Sequence, residues 1–559
     1  MHSRWNVLPS VPDGHGLVNS GLPRLIVQLL YNRGITTQSQ LEPFLAGDWR
    51  LSADPCLLPD MPVATARIYR ALLSGEKIAI YGDFDADGVT STALLVQGLT
   101  ALGATVTPYI PHRQTEGYGL TTTALEGLQQ QGASLVITVD CGITNFTEVK
   151  RARKMGLDII VTDHHVPLPE LPEALAVVDP KLSGSPYPFT DLAGVGVAFK
   201  LLQALLRSLG KEEQLAGIMD LVALGTIADM SPLVGENRFL VKEGLKALNA
   251  NPRLGIRQIA AQAGLSTRQL SAEDVSWVVA PRLNAAGRVA HALTSYNLLM
   301  TDSTDEACRL AQWLEEKNAE RQEMTALALA RAREQVTAQE ITPLLVAGDE
   351  AYPIGIAGLV ASRLVEEFYR PAIVIRVGEK TSSGSCRSIP EFNIVAALGQ
   401  CSELLSQFGG HSQAAGFSLP TQNLPRFQQQ LQEIAATQLT GVELRARLNI
   451  DAVVPLSELA GETFRQIQKL APFGRGNTTP IFLSHCVEVL NRRTMGSNSD
   501  HIRLKLRQGG LVWDAVGFGL GEHLAEISPC IDVVYTLEID RWNGEEKLRL
   551  NILDFASAV

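Results

Sequence analysis

The sequence predicts an α/β protein in four parts: a parallel-sheet domain, a long connecting helix, a second and smaller α/β domain, and an all-β C-terminal region. Three observations carry this. Short β-branched runs alternate with helical stretches from Leu72 to Asp179, the pattern of a mostly parallel sheet. Asp302 to Thr342 holds no Gly or Pro and is rich in Ala, Leu, Glu, Gln and Arg, so a mostly helical stretch is expected there, roughly 50 Å long at about 1.5 Å per helical residue. From His501 onward apolar and polar residues alternate with period two, as in half-buried strands.

Taken in order, the first strand is Lys77-Ile78-Ala79-Ile80-Tyr81, closed by Gly82-Asp83. Leu135-Val136-Ile137-Thr138-Val139 is closed by Asp140, Asp158-Ile159-Ile160-Val161-Thr162 by Asp163, and Leu175-Ala176-Val177-Val178 by Asp179. The carboxyl ends of parallel strands share one edge, and ligands bind there, so these runs deliver four carboxylates to a common crevice. Helix-rich sequence follows from Gly194 to about Met300. Past Pro343, Leu344-Leu345-Val346-Ala347-Gly348 and Pro371-Ala372-Ile373-Val374-Ile375-Arg376 restart the alternation and define the second α/β domain, to about Leu439. In the tail, His501 to Arg507 and Asp532 to Ile539 alternate as strands of a small barrel.

Composition narrows the function classes. A chain of 559 residues, 45% apolar and 19% charged, is a globular protein of several domains. Its net charge of −11 excludes binding of a polyanion through bulk charge, so such a partner needs local basic surfaces or bound metal. The seven cysteines are odd in number and never spaced C-x-x-C, which points to reduced thiols rather than a disulfide framework or zinc site. No apolar run approaches the roughly 18 to 20 residues that span a bilayer, and Met1 to Asp13 contains Arg4, Pro9 and Pro12, so a cytoplasmic protein with no membrane partner is expected.

The densest chemistry lies in Asp83-Phe84-Asp85-Ala86-Asp87-Gly88. These six residues imitate an EF-hand loop, but the twelfth position is Leu94 where a bidentate Glu is required, and a strand enters the loop where a helix should. Two readings then stand: a solvated acidic turn, or carboxylates gathered round cations that relieve their repulsion. Asp163-His164-His165 and Asp140, at the same sheet edge, favour the second. Asp229 is an isolated acid in an apolar stretch, a candidate ligand or helix cap. Carboxylates with imidazole and without thiolate suit manganese or magnesium, and five or six such ligands are enough for two ions about 3.5 to 4 Å apart, the arrangement that clamps a phosphoryl group during hydrolysis.

These segments together resemble the DHH phosphoesterase superfamily, and within it the RecJ exonuclease family. The likeness is carried further by Ala280-Pro281-Arg282-Leu283-Asn284-Ala285-Ala286-Gly287-Arg288, Asn318-Ala319-Glu320-Arg321-Gln322, Phe408-Gly409-Gly410-His411-Ser412-Gln413-Ala414-Ala415-Gly416 and Pro472-Phe473-Gly474-Arg475-Gly476-Asn477, and spans nearly the whole chain. It implies an N-terminal segment (1–45), a DHH catalytic domain (46–300), the connecting helix (301–340), a substrate-binding domain of DHHA1 type (341–445) and an OB-fold (446–559). It further implies a two-metal exodeoxyribonuclease that degrades single-stranded DNA from 5′ to 3′, to mononucleotides, in repair and recombination, with single-strand-binding protein and a recombination helicase as partners.

Carried over by position, Asp85 and His164 would hold one Mn2+ or Mg2+, Asp87 and Asp229 the other, with Asp140 bridging and Asp83 supporting. His165 would hydrogen-bond the scissile phosphate and Asp163 would orient the histidines. Arg113, Arg282, Asn284, Arg288, Gln322, Arg363, Ser385, Arg387 and His411 would hold the strand. In the tail, Arg503, Lys505 and Arg507 on one strand face, with Trp513 and Trp542 near Arg541 and Lys547, would form a basic groove with aromatic platforms. Two departures stand in the second α/β domain: Tyr352-Pro353 where relatives usually have Trp-His, and Cys386 where Gly or Ala is usual. Two rival readings stay open: a phosphodiesterase for very short or cyclic dinucleotides, whose relatives generally lack the β tail, and a non-catalytic scaffold, whose relatives have eroded ligands.

Overall fold

The computed structural model describes residues 3–265, 268–338, 341–540 and 547–558, and the architecture is the α/β class expected. The chain forms two compact units: Ala53–Ser231 with Leu240–Leu444, and Met1–Ser52 with Pro232–Phe239 and Arg445–Val559.

In the first of these units a five-stranded sheet runs in the order Thr105–Tyr109, Lys77–Gly82, Ala133–Val139, Asp158–Thr162, Ala176–Val178, every pair parallel. Ile78, Ile80, Leu135, Val136, Ile137 and Ile160 are fully buried, as strands covered on both faces require. The edge strand Thr105–Tyr109 goes beyond the four runs read from sequence, because Pro108 and its half-exposed side chains blunt the apolar signal. Chain order reverses between Lys77–Gly82 and Ala133–Val139, the switch point where such sheets open a crevice. The strands on either side of that point are followed by Asp83 and Asp140.

Helix Ala86–Ala101 starts directly at this edge, with Asp85 as its N-cap, and is buried on almost all sides down to Leu99. Helices Gly194–Ser208 and Met219–Ala228 pack on it, and these bring Asp229 to the same region. Further along, helix Thr304–Thr337 is 34 residues long, capped by Ser303, and joins the second sheet. That sheet runs Gln407–His411, Ala414–Pro420, Thr381–Arg387, Ala372–Arg376, Leu345–Asp349, with only the last pair parallel. Of the departures that put strand grip in question, Tyr352 and Cys386 are buried in its apolar cores, while Pro353 is half-buried at the start of helix Ile354–Phe368.

The other unit is built on a closed barrel of Phe482–Met495, His501–Gln508, Leu511–Gly517, Lys547–Ser557 and Cys530–Asp540, the last pairing back onto the first. Period-two alternation is realised: Ile502, Leu504 and Leu506 fill the interior while Arg503, Lys505 and Arg507 face out. Trp513 is directly opposite Leu506 and is 6% exposed, so it is core and not the expected platform. Arg541 and Trp542 lie outside the described residues.

The expected domain 46–300 is not contiguous: 46–52 and 232–239 belong to the barrel unit. The reason is Arg238, which is fully buried there. Its guanidinium donates to the carbonyls of Phe44 (2.7 Å), Leu470 (2.7 Å) and Ala471 (2.9 Å) and lies 4.0 Å from the centre of the Phe44 ring. Burial lowers its pKa to about 10, so it remains charged at neutral pH. No helix among the described residues is long and apolar enough to cross a membrane, and the seven cysteines are free thiols.

Replacing Arg238 by Leu strands the buried carbonyls of Phe44 and Leu470 and weakens the hold on those of Lys469 and Ala471, and a loss of about 3 kcal/mol is expected. Urea unfolding followed by tryptophan fluorescence should show an early transition of this unit; an unchanged midpoint would contradict the role.

Candidate metal centre

The acidic turn is shaped by amides before any ion is considered. Asp85 caps its helix, its Oδ1 accepting from the amides of Asp87 (2.9 Å) and Gly88 (3.1 Å). Asp87 is almost wholly buried and is held from outside its own helix: Oδ2 accepts from Gly194 N (2.7 Å) and Oδ1 from Val195 N (2.8 Å), at the start of helix Gly194–Ser208. Gly194 is required by this approach, since a Cβ there would lie 2.6 Å from Cβ of Asp140. Asp140 itself sits at φ +61°, a left-handed conformation that aims a non-glycine side chain back into the crevice.

His164 and His165 follow Asp163, which is fully buried and organises both. Asp163 Oδ1 accepts from the His164 amide (2.8 Å), the His165 amide (3.2 Å) and His165 Nδ1 (2.7 Å), and Oδ2 accepts from Ile143 N (3.0 Å). His164 Nε2 stands 3.0 Å from Asp140 Oδ1 and 4.0 Å from Asp87 Oδ2, yet makes no hydrogen bond among the described residues. Asp83 Oδ1 is likewise buried without a partner among them. Asp229, at the end of helix Met219–Ala228, accepts from Ser231 Oγ (2.6 Å).

Electrostatics follow from burial and like charge. Burial first, and Asp85 next, push Asp83 up to about 8. Burial and neighbouring carboxylates raise Asp87 and Asp140 well above the carboxylate range. Burial lowers His164, which favours the neutral, ligating imidazole. His165 differs: burial is the largest single influence and opposes its charge, but the hydrogen bond to Asp163 together with the charges of Asp163, Asp229 and Asp83 raises the imidazole to about 9. Asp163 is brought down to about 2 against its burial, the largest single influence, by the hydrogen bond and charge of His165 with His164 and the Ile143 amide.

Three groups of ligand atoms lie within 4.8 Å of one another: Asp83, Asp85 and Asp140; Asp87, His164 and Asp229; and Asp140, His164 and His165. All six expected metal ligands are thus brought together, with Asp140 and His164 each common to two groups. The grouping differs from the expected pairing, since His164 falls with Asp87 and Asp229 and not with Asp85. Hard oxygen donors and one or two imidazoles suit manganese or magnesium, and the partnerless His164 Nε2 and Asp83 Oδ1 fit ligands awaiting a cation.

Of the expected strand-holding residues, Arg113 lies 4.8 Å above the Phe84 ring. Arg288 and Arg387 are near it: burial lowers all three guanidinium pKa values, and the positive neighbours add to the lowering of Arg288 and Arg387. Arg288 comes down to about 9. His411 stacks on His165 at 6.5 Å between ring centres, and Ser385 lies half-buried on the strand that carries Arg387. Arg282 is instead engaged by Glu315 and the Val278 carbonyl, Arg363 pairs with Glu366 (2.8 Å), and Gln322 lies exposed on the long helix. Asn284 accepts from the Ala86 amide (2.9 Å). Asp179, although it ends a strand at this edge, belongs to none of the three ligand groups; its Oδ1 accepts from Lys181 N (2.7 Å).

Sequence reasoning missed Tyr118, whose hydroxyl is 3.2 Å from His165 Nδ1 and donates to the Asp140 carbonyl (3.3 Å). Its place in Glu116-Gly117-Tyr118-Gly119, five residues after Arg113, was the available signal.

Aspartates and imidazoles caged at a parallel-sheet switch point, beside desolvated arginines, define a metal-dependent phosphoesterase centre. Family models agree: the DHH family N-terminal domain matches residues 77–226, the DHHA1 domain 335–437 and the RecJ OB domain 450–554. The chain is 40% identical over 538 residues to the single-stranded-DNA-specific exonuclease RecJ of Bacillus subtilis, covering 95% of this chain and 68% of that one. It is 34% identical to the Salmonella typhimurium protein of the same name, covering 95% and 96%. The crystal structure of RecJ in complex with Mn2+ from Thermus thermophilus superposes with a TM-score of 0.86 at 32% identity, covering 100% of this chain and 80% of that one. The chain belongs to the RecJ family.

The Asp163–His165 pair has a defined pH window in metal-free protein. His165, raised above its ordinary 6.5, stabilises the fold fully below that pH and loses its contribution as pH rises through about 9. Asp163 contributes above its ordinary 3.8 and loses its contribution as pH falls through about 2. An NMR titration of the histidine ring signals, with Asp163→Asn as comparison, should find His165 titrating near 9 in the parent and lower in the variant. Titration of the parent near the ordinary 6.5 would refute the pairing.

Proposed function

We propose that this chain is a metal-dependent exonuclease that hydrolyses single-stranded DNA in the 5′ to 3′ direction to mononucleotides, in DNA repair and recombination. The observation that carries the reading is the convergence of Asp83, Asp85, Asp87, Asp140, His164 and Asp229 in overlapping groups whose ligand atoms lie within 4.8 Å of one another. These residues would hold two divalent cations, Mn2+ or Mg2+. Such ions, when bound, supply Lewis-acid stabilisation of phosphoryl oxygens and make water a nucleophile at neutral pH.

The chain's own groups then do the following. His165, oriented through Nδ1 by Asp163 (2.7 Å) and Tyr118 (3.2 Å), donates a hydrogen bond to the scissile phosphate. Arg113, Arg288 and Arg387 present positive charge with little competing water, which strengthens their attraction for the phosphates near the 5′ end. Ser385 adds a hydroxyl beside them, and His411 covers His165 from the second sheet. Arg282, engaged by Glu315 and the Val278 carbonyl, is withdrawn from this role, while Gln322 and Arg363 are exposed and stay open to the strand.

We read residues 46–300 as catalytic apart from the segments that join the barrel, 341–445 as the strand-gripping part, and 446–559 as a further single-strand-binding part. In that part Arg503 is 3.7 Å from Asp514 and Arg507 makes a two-fold bond to Glu488 (2.7 Å each), so strand binding there competes with internal pairing and is expected to be strongly weakened by salt. A cytoplasmic location, and single-strand-binding protein and a recombination helicase as partners, are carried from the family relation.

The test is digestion of end-labelled single and double strands with Mn2+ or Mg2+, comparing the parent with Asp140→Ala. Mononucleotide release from single strands only, lowered about 1,000-fold in the variant, equivalent to about 4 kcal/mol of barrier, is expected. Absence of manganese-stimulated cleavage in the parent would favour a scaffold, and cleavage confined to dinucleotides would favour the short-substrate reading.

A further inference from the structure

The first turn of helix Ala86–Ala101 carries the ligands, and each of its leading amides has a named acceptor. Asp87 and Gly88 donate to Asp85 Oδ1, and Val89 donates to the Asp85 carbonyl (2.9 Å). The remaining amide, Ala86 N, is satisfied from 198 residues away by Asn284 Oδ1 at 2.9 Å. Ala86 is 1% exposed, so water cannot take over.

Asn284 lies on helix Ala280–Val289, which touches the turn again one helical turn later: a Cβ on Gly287 would lie 2.2 Å from the Phe84 carbonyl oxygen. The next residue, Arg288, donates to the Gly355 carbonyl (3.1 Å) at the start of helix Ile354–Phe368. One short helix therefore presses on the acidic turn at Phe84 and Ala86 while its end is fixed to the second α/β domain.

We infer that Asn284 is a positioning residue for the metal ligands, acting through the Ala86 amide, and not a contact to the strand. The inference rests on the metal-binding reading proposed above. Asp87 is pinned at both oxygens by Gly194 and Val195, and Asp85 at one by its own helix, so the freedom these bonds leave is at the entry to the turn, from Phe84 to Ala86. Asn284 removes that freedom. Without it the Ala86 amide must seek an acceptor, and those its own turn offers are the ligand carboxylates.

The test measures Mn2+ uptake by calorimetry and binding of a fluorescent single strand in EDTA, for the parent, Asn284→Ala, Asn284→Asp and Gly287→Ala. Mn2+ affinity should fall roughly 10- to 100-fold in Asn284→Ala, be restored in Asn284→Asp, which keeps the acceptor, and fall in Gly287→Ala, while strand affinity in EDTA changes less than about twofold. Unaltered Mn2+ uptake by Asn284→Ala, or a loss of strand binding with Mn2+ uptake intact, would overturn the inference. Should circular dichroism find Asn284→Ala unfolded, Gly287→Ala decides: uptake equal to the parent's overturns it. A parent that takes up no Mn2+ would instead end the metal reading itself.

Discussion

The structure is organised around one electrostatic liability. Asp83, Asp87 and Asp140 are buried together at the end of a parallel sheet, where removal from water and mutual repulsion each disfavour their charged forms. Amides answer only part of this: Gly194 and Val195 serve Asp87, while Asp83 Oδ1 and His164 Nε2 have no hydrogen-bond partner among the described residues. Divalent cations relieve both the repulsion and the unmet polar groups, which is why the arrangement makes physical sense as a ligand cage and poor sense as a surface turn.

The surrounding fold serves that cage by limiting motion. The switch point sets Asp83 and Asp140 on neighbouring strands, a left-handed backbone at Asp140 turns its side chain inward, and the start of a second helix fixes Asp87. Asp163 sets the two histidines apart: burial disfavours charge on His164, whose Nε2 points at the carboxylates, while His165 is bonded through Nδ1 to Asp163, which favours its charge. Opposite charge demands thus lie on adjacent residues of one strand end, separated by which of them Asp163 bonds through its ring. The arginines are gathered in the same spirit, three like charges held partly out of water, an arrangement that favours an anion among them.

Much of this was legible in the chain. Strand-closing aspartates identify the edge because a parallel sheet leaves no choice about where its carboxyl ends lie, and Asp229 stood out as an acid in apolar surroundings. What was not legible depends on long-range contacts. Alternation in Arg503 to Arg507 gives two faces but not that Leu506 meets Trp513 inside the barrel. Arg282 reads like Arg288 in sequence, and only Glu315, 33 residues on, separates them. Asn284 sits in a motif suggestive of substrate, while its side chain is spent on an amide of the acidic turn. Nor does anything local in Pro232–Phe239 announce that Arg238 is locked among carbonyls of Phe44 and Leu470.

The central claim is that these acids and one imidazole cage two ions. Diffraction at the manganese absorption edge, from crystals of the protein equilibrated with Mn2+, tests it most directly. The account predicts two anomalous peaks flanking Asp140, one among Asp83 and Asp85 and the other among Asp87, His164 and Asp229. Peaks elsewhere, or none at this edge of the sheet, would contradict it.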